Sequence, residues 1–394
     1  MYFKKILMPL FLFTLTSCGK NNENSATPSF SVQQDKIYFT TSDYGSRTGY
    51  LYSFSPVSNQ VKAESPLLQQ IDGLKGFQSR DGSGNLKNLY LAKYNMGQPS
   101  SVLAYNTEGT STESQRNLPE NIYDMMLANN SLYYVGYDKK EIAVSSSNLN
   151  SVTLASTTVQ GFSKNSDTNN FVSILNNENN YYAVSVGYPY SSTIENQGAK
   201  IFTLSEDLTS TQGSPILIKN CFNLNSSMKI SNSKLVVACN PTYTYPEVPG
   251  VPSIFLIDVS SNINPNVQLL KTVTSNINIY LGGVSVDGSY ILVTEEENNG
   301  DYSNPTANSY WLNLNNQVHH STYGGAYQVS YNKITNSYIF SCILNANNQC
   351  QSNAFGVALA TTDNDSIQSN IATVSLSHFI NLNGVHGVSF FKAL

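Results

Sequence analysis

The stretch "GGVSVDGSYILVTEEENNGD", residues 282–301, contains a tight turn, an apolar run and an acidic segment in succession. The Asp287-Gly288 pair favours the positive φ of a β-hairpin turn. The run 290–293 that follows is apolar throughout, which indicates a strand covered on both faces rather than one with a solvent-facing side. Three consecutive glutamates start at Glu295 and open a polar segment. The stretch therefore predicts a hairpin, a buried second strand and an acidic loop.

The same event, a polar turn followed by an apolar run, recurs along the chain at intervals of 43 to 55 residues. The residues that mark it are Lys36, Asn88, Ser131, Asn180, Lys234, Ser289 and Ser337. A weaker apolar segment precedes the turn, as in "GGVSV" (282–286), and another follows the run, as in "SVLAYN" (101–106). Four antiparallel strands in a repeat of this length are typical of a propeller blade. We therefore expect an all-β fold, a seven-bladed β-propeller over residues 30–394, with eight blades as the alternative count.

Two other all-β folds are alternatives to the propeller, a β-helix and a pair of β-sandwiches. The irregular intervals disfavour a β-helix, and seven units in register disfavour a pair of β-sandwiches.

A propeller must also close into a ring. The segments "FSV" (30–32) and "GVHGVSFF" (384–391) both resemble a first strand for the first blade. One of them should pair with strands from the other end of the chain, because closure leaves no open sheet edge. The sequence leaves open which one does so.

The piece "SVDGSYILV" (285–293) resembles the Asp-Gly hairpin repeat of TolB-like and YVTN-type propellers. One of the seven units carries this pattern well. WD dipeptides and tryptophan-docking repeats are absent from the sequence, whose single tryptophan is Trp311. Double glycines occur at 282–283 and 324–325 and not in every unit, as a kelch repeat would require. The resemblance implies a propeller and does not extend to a function.

The N-terminus has the order of a secretory signal, with Lys4 and Lys5 before an apolar run at 6–15. Its end, Leu15-Thr16-Ser17-Cys18, resembles the lipobox of bacterial lipoproteins. The resemblance implies a signal peptide over 1–17, acylation of Cys18 with palmitate-type chains, and a lipidated tether over 18–29. Gly19, where an Asp would signal inner-membrane retention, favours the outer membrane, with the folded body in the periplasm or on the cell surface. A cleaved signal with an incidental cysteine is the alternative.

Composition restricts the function classes further. The formal net charge is −5, with 21 basic and 26 acidic residues, which argues against a nucleic-acid partner because such partners require clustered Lys and Arg. Outside the signal no segment approaches eighteen consecutive apolar residues, so the membrane should be contacted through the lipid anchor. No cofactor-binding motif is present, and we expect no cofactor.

Four cysteines besides Cys18 are candidates for disulfide bonds: Cys221, Cys239, Cys342 and Cys350. An even number in an exported protein indicates two disulfides, and four cysteines allow three pairings. Proximity in the sequence favours Cys221–Cys239 and Cys342–Cys350. A zinc site is the rival interpretation, but neither a CxxC motif nor a suitably spaced histidine accompanies these cysteines.

The candidate binding face is formed by the loops that join second to third strands. These loops are long in blades four to seven, and long loops on a rigid scaffold often carry function. They contain tyrosines suited to protein or glycan recognition, namely Tyr188, Tyr190, Tyr243, Tyr245 and Tyr302. These tyrosines could instead pack within their own loops. A weaker hypothesis is a cation site at Glu295, Glu297 and Asp301.

Two principal functions remain open. The first is a non-enzymatic scaffold that binds an envelope protein or glycan. The alternative is an enzyme acting on envelope or extracellular glycans through acidic residues near the propeller axis. The sequence lacks GxSxG, HExxH, P-loop and GxGxxG motifs, so no catalytic residue is assigned and the non-enzymatic reading is favoured. Two or more carboxylates near the axis would favour the enzyme.

Overall fold

The structure is a computed structural model, and it describes residues 32–393 with gaps. The residues outside the description are 1–31, 44–45, 59, 65–67, 70–72, 84, 95–100, 107–113, 118–121, 129–130, 137–141, 147–155, 158–170, 178–179, 186–197, 209, 241–250, 262–264, 275, 298–305, 321–325, 334–335, 344–356, 364–366, 368–374, 381–386 and 394. The described elements are β-strands, as the aromatic and β-branched composition predicts. The predicted signal peptide, Cys18 and the tether lie outside the described residues.

Five sheets have four strands each, and in every one the strands are neighbours in the order in which the chain supplies them. The third sheet comprises β9 (Ile122–Ala128), β10 (Ser131–Gly136), β11 (Ile142–Ser146) and β12 (Ser156–Thr157). The fourth comprises β13 (Phe171–Asn177), β14 (Asn180–Ser185), β15 (Gly198–Leu204) and β16 (Thr211–Lys219). The fifth comprises β17 (Leu224–Ser231), β18 (Lys234–Cys239), β19 (Ser253–Asp258) and β20 (Asn266–Thr272). The sixth comprises β21 (Ile277–Val284), β22 (Tyr290–Glu297), β23 (Thr306–Asn313) and β24 (Val318–His320), and the seventh comprises β25 (Gln328–Asn332), β26 (Ser337–Ile343), β27 (Val357–Asp363) and β28 (Ser375–Ile380).

Two sheets have five strands, because each receives one strand from the C-terminus. The first comprises β1 (Ile37–Asp43), β2 (Thr48–Ser55), β3 (Gln60–Ala63) and β4 (Leu68–Gln69), together with β29 (Gly387–Phe390). The second comprises β5 (Gly73–Arg80), β6 (Leu86–Tyr94), β7 (Ser101–Asn106) and β8 (Ser114–Asn117), together with β30 (Lys392–Ala393). Strand β29 lies beside β1 in the first position of its sheet, so β1 takes the second position.

The sheets are arranged as propeller blades. The first-position strands of successive sheets contact one another, β9 with β13, β13 with β17, β17 with β21, and β21 with β25. Hydrogen bonds between these strands join residues one repeat apart, as between the Asn225 side chain and the carbonyl of Ile279, 54 residues on. The predicted β-propeller fold is confirmed.

The second strand of each sheet is the one predicted from a continuous apolar run. In β18 the five residues from Leu235 to Cys239 are all buried, and β14 has the same pattern. Sheets stacked on either side cover both faces of these strands, so no alternation with polar residues survives. The predicted segment "GGVSV" (282–286) is displaced, because the first strand of the sixth sheet ends at Val284 and the turn begins at Ser285.

The Asp287-Gly288 hairpin forms as predicted. Gly288 has φ +70°, and Asp287 accepts the Ser285 hydroxyl at 2.6 Å and the Ser289 amide at 3.0 Å. The turn therefore satisfies its polar groups largely from its own residues.

The C-terminus closes the ring. Strand β29 pairs with β1 in antiparallel register from Ser42↔Gly387 to Phe39↔Phe390, and β30 runs parallel to β5 in the next sheet. Between them Phe391 is buried in a cluster shared by the first two sheets. Its ring lies so close to Gly76 that a Cβ there would stand 2.7 Å from it. Of the two segments that the sequence left open, the C-terminal one supplies the first-position strand.

No helix in the described part of the chain has the length and apolar character needed to cross a membrane.

Candidate functional site

The long-loop face is the end of the propeller where second strands join third strands. In the fourth to seventh sheets its described margins are Ser185 and Gly198, Asn240 and Val251, Glu297 and Thr306, and Ile343 and Val357. The segments between these margins lie outside the described residues. They contain all the tyrosines of the candidate binding face, Tyr188, Tyr190, Tyr243, Tyr245 and Tyr302, together with Asp301 and Cys350. Their recognition and metal roles stay predictions.

A disulfide bond lies under this face. Cys221 and Cys239 are joined with their Cα atoms 5.3 Å apart, and both side chains are buried in the core cluster between the fourth and fifth sheets. Cys239 ends β18, and Asn240 alone separates it from the undescribed segment 241–250, so the bond fixes the base of one long loop. The prediction of this disulfide is confirmed. The predicted partner of Cys342 lies outside the described residues, and that pairing stays a prediction.

The predicted acidic loop begins later than expected, because β22 continues through Glu297 and pairs there with β23. Glu295, near the end of β22, joins the fifth and sixth sheets. Its Oε1 accepts the Tyr310 hydroxyl at 2.5 Å and lies 3.0 Å from the Nζ of Lys271 in β20. The Lys271 ammonium also lies 4.0 Å from the centroid of the Tyr310 ring. A carboxylate, an ammonium and a phenol ring thus form one mostly buried group in which each member contacts the other two.

Glu296 points the opposite way, as alternation along a strand requires. It accepts the hydroxyl of Tyr327, which directly precedes β25 in the seventh sheet. The Tyr327 ring packs edge-on against Tyr280 at 5.3 Å between centroids. Consecutive glutamates of β22 therefore bind residues of the preceding and the following sheet. Glu297 contacts Asn276 at 3.1 Å, within the sixth sheet.

These contacts raise the pKa of both tyrosines. For Tyr310 burial is the main cause, followed by its hydrogen bond to Glu295 and the charge of that carboxylate. Tyr327 follows the same order, with Glu296 in place of Glu295. Each phenol stays protonated as a donor, because ionisation would place a second negative charge beside a glutamate in a poorly solvated site.

The first-position strands line the axis of a propeller, and they are nearly free of acidic residues. Across the described strands β5, β9, β13, β17, β21, β25 and β29 the only carboxylate belongs to Asp124. Asp124 is buried, and its Oδ2 accepts the Ser173 hydroxyl at 2.6 Å and the Ile174 amide at 3.0 Å. Both donors belong to β13, so this carboxylate holds the third sheet to the fourth.

Metal ligands are not gathered in the described residues, where no three His, Cys, Asp or Glu side chains lie together. Of the three candidate cation ligands, Glu295 and Glu297 are described and make the contacts given above. Asp301 lies outside the described residues. His319 packs against Tyr290 and its Nδ1 lies 2.9 Å from the carbonyl of Ile367. It follows that His319 has a packing role in the sixth sheet.

Sequence reasoning missed Lys271, Tyr310 and Tyr327 as partners of the acidic segment. Tyr310 could have been found from the strand register, because β22 and β23 pair Val293 with Tyr310 and so place its hydroxyl near Glu295. The other two belong to neighbouring sheets. Their positions depend on how the sheets stack, which a pattern of apolar residues does not define.

Comparison with known proteins gives no family and no curated relative: no family model matches the chain, and no curated protein matches it. Solved structures do match. A protein of Bacteroides fragilis provisionally named 6-phosphogluconolactonase superposes with a TM-score of 0.56 at 9% identity, over 92% of this chain and 100% of its own. A protein of Bacteroides uniformis with the same provisional name gives 0.54 at 9% identity, over 91% and 100%. The propeller of Dos1 gives 0.40 at 10% identity, over 91% and 74%. At such identities the likeness of the two Bacteroides proteins shows a common fold alone.

Proposed function

We propose that this protein is a lipid-anchored lipoprotein of the cell envelope whose propeller binds an envelope protein or glycan without turning it over. One observation carries the non-enzymatic part of the proposal. The described first-position strands hold a single carboxylate, Asp124, and it is already hydrogen bonded between two sheets. Glycosidases generally use two carboxyl groups about 5–10 Å apart on either side of the scissile bond. The described first-position strands do not supply that pair.

The acidic segment of β22 supports the same reading. Glu295, Glu296 and Glu297 each accept a hydrogen bond or ion pair from a neighbouring side chain. Glu295 and Glu296 join sheets at the base of the long-loop face, and Glu297 makes its contact within the sixth sheet. Such a base fixes the margins of the face, as the pairing of Glu297 with Thr306 shows for the sixth sheet.

We infer further that the ring has seven blades, one for each sheet. The repeat markers, the order of strands within the sheets and the placement of β29 in the first sheet support this count. Each sheet then has strands in all four blade positions, with β4 and β30 as additions.

The anchor and the outer-membrane address are supported by the sequence of residues 1–19. Several acyl chains on Cys18 would hold the protein stably, whereas one chain holds a protein only marginally. The test is incorporation of labelled palmitate in the producing bacterium, followed by separation of inner and outer membranes. We expect label in the outer-membrane fraction of the wild type and none in Cys18→Ala. Labelled Cys18→Ala would contradict the site of attachment.

The binding proposal is tested with the full chain. A photo-crosslinking amino acid is placed at Val251, an exposed margin of the long-loop face, and in a matched variant at Val57, exposed in the turn after β2 at the opposite end. We expect a discrete crosslinked product in intact cells for Val251 and none for Val57. In parallel, the purified protein is incubated with peptidoglycan fragments and with extracellular polysaccharide, and binding and new reducing ends are measured.

The outcomes separate the two functions. Crosslinks at Val251, or saturable glycan binding without new reducing ends, support the scaffold. Catalytic release of reducing ends would instead establish the glycan-acting enzyme, for which the undescribed loops would have to supply the acidic groups. If neither crosslinks nor glycan binding are found, the binding proposal is wrong.

A further inference from the structure

The chain enters the propeller at the face opposite the long loops. Strand β1 occupies the second position of its sheet, and second strands run from the hairpin that joins them to first strands toward the long-loop face. We call the hairpin end, which includes the turns at 81–85 and 285–289, the hairpin face. Residues 32–36 directly precede β1 and therefore lie at the hairpin face.

Side-chain contacts fix this point of entry. The Gln34 amide oxygen accepts the Leu86 amide at 2.7 Å, and the Gln34 amide nitrogen donates to the Leu86 carbonyl at 2.5 Å. Leu86 is the first residue of β6, next to the hairpin of the second sheet. Val32 is buried in the same cluster as Leu86, and the Gln33 amide donates to the Tyr38 hydroxyl at 2.8 Å. Two adjacent sheets thus hold the segment that follows the predicted tether.

The tether is short compared with the height of the propeller. Residues 19–31 separate Cys18 from Val32, and a flexible chain of that length has a typical span of about 20 Å. A strand of eight residues spans about 26 Å. The acyl chains should therefore lie below or beside the hairpin face, because reaching the long-loop face would require the tether to exceed its typical span along the whole side of the body.

We propose that the lipid anchor holds the hairpin face toward the membrane and presents the long-loop face to the aqueous compartment. The partner of that face is then reached from the aqueous compartment and is not the bilayer to which the protein is anchored. This inference rests on the lipoprotein proposal and adds to it the orientation of the binding face.

The described hairpin face carries charges of both signs. Asp81 and Asp287 accept backbone amides of their own turns, whereas Lys234 begins β18 and Lys333 follows β25. The proposal therefore rests on the point of entry and the length of the tether, and the orientation should relax when the tether is lengthened.

The experiment measures the distance of each face from the bilayer. The full-length lipidated protein is reconstituted into phosphatidylethanolamine–phosphatidylglycerol vesicles that contain an acceptor-labelled lipid. A donor dye is attached through p-azidophenylalanine at Val57 or Val286 on the hairpin face, or at Val251 on the long-loop face, all three of which are exposed. Insertion on either side of the vesicle leaves these distances unchanged.

We expect energy transfer at least about twofold greater from Val57 and Val286 than from Val251, because the faces differ by roughly the length of a strand. Insertion of about twenty Gly and Ser residues after Ser25 should reduce this difference, since the span grows with the square root of length. Equal transfer from the two faces with the native tether, or greater transfer from Val251, overturns the orientation. Failure of palmitate labelling instead refutes the lipoprotein proposal, and the orientation with it.

Discussion

The two ends of β22 are held in different ways. At its beginning, the turn at Asp287 and Gly288 is stabilised mainly by hydrogen bonds among residues 285–290. At its end, Glu295 and Glu296 are bound by Lys271 and Tyr327, which belong to the sheets on either side. The turn before β22 is thus satisfied mainly by its own residues, with the Val286 amide donating to the Tyr338 hydroxyl of the seventh sheet at 2.8 Å. The contacts of Glu295 and Glu296, in contrast, depend on the stacking of sheets. Substitutions at contacts between sheets should therefore disturb the ring, and those within turns should have local effects.

The closure of the ring is the contact between sheets at which the largest effect is expected. Phe391→Ala removes a buried aromatic side chain shared by the first and second sheets. Large-to-small changes of this kind cost about 3–5 kcal/mol in the free energy of unfolding. Urea denaturation of the variant should show this loss, while Val57→Ala, at an exposed position, should change stability by less than about 0.5 kcal/mol. A loss below about 1 kcal/mol for Phe391→Ala would mean that the ring closes without this side chain.

The second-largest effect is expected from the disulfide bond, which joins Cys221, before β17, to Cys239, at the end of β18. Replacing both Cys221 and Cys239 by Ala should lower the free energy of unfolding by about 2–4 kcal/mol, because the bond restricts the unfolded chain. Peptide mapping with and without reduction checks the pairing directly. Recovery of Cys221 linked to Cys342 or Cys350 would contradict the structure. The same map tests the predicted Cys342–Cys350 bond.

A matched pair of glycines tests the turns of the hairpin face. Gly288 has φ +70°, and a Cβ there would lie 3.1 Å from the carbonyl oxygen of Ile230. Gly82 also follows an aspartate in a hairpin, but a Cβ there meets nothing within 4 Å. Gly288→Ala should cost about 1–2 kcal/mol through backbone strain, and Gly82→Ala should be close to neutral. Equal effects in thermal melts would show that the Asp-Gly sequence alone, and not its conformation, determines the response.

The acidic end of β22 is tested by a double-mutant cycle between the fifth and sixth sheets. Lys271→Met and Glu295→Gln each break the pair, and their coupling energy should be about 1–2 kcal/mol because both groups are mostly buried. The cycle Lys271→Met with Glu297→Gln is the control, since Glu297 instead contacts Asn276. Coupling of the same size in both cycles would show a general effect of charge and not a specific contact between sheets.

The features that the sequence predicted are those that depend on neighbours along the chain. The Asp287-Gly288 turn and the buried run after it are specified by residues 285–293 themselves. Strand positions followed from the repeat. Glu295 and Glu296 lie on opposite sides because β22 continues through them. The partners of those glutamates were missed because Tyr327 lies 31 residues beyond Glu296 and in another sheet. The closing strand could not be chosen for a similar reason: residues 30–32 and 384–391 have the same local character, and only the geometry of the ring distinguishes them.

The smallest effect is expected from the tyrosines of the acidic end, and only its pH-dependent part is confined to alkali. The pKa of Tyr310 and of Tyr327 is raised above the usual 10.0 in the folded protein. Below pH 10 both states keep the proton and stability is unaffected. Above pH 10 the unfolded chain loses it first, so the folded state is destabilised as pH rises. Tyr310→Phe should leave the unfolding free energy at pH 7 lower by about 1 kcal/mol for the lost hydrogen bond, and should make its decline between pH 10 and 11 less steep. Tyr50→Phe, in the first sheet, serves as the control. An unchanged alkaline slope in the Tyr310 variant would mean that this phenol ionises with equal ease in the folded and unfolded chains, and that the contact with Glu295 does not restrain it.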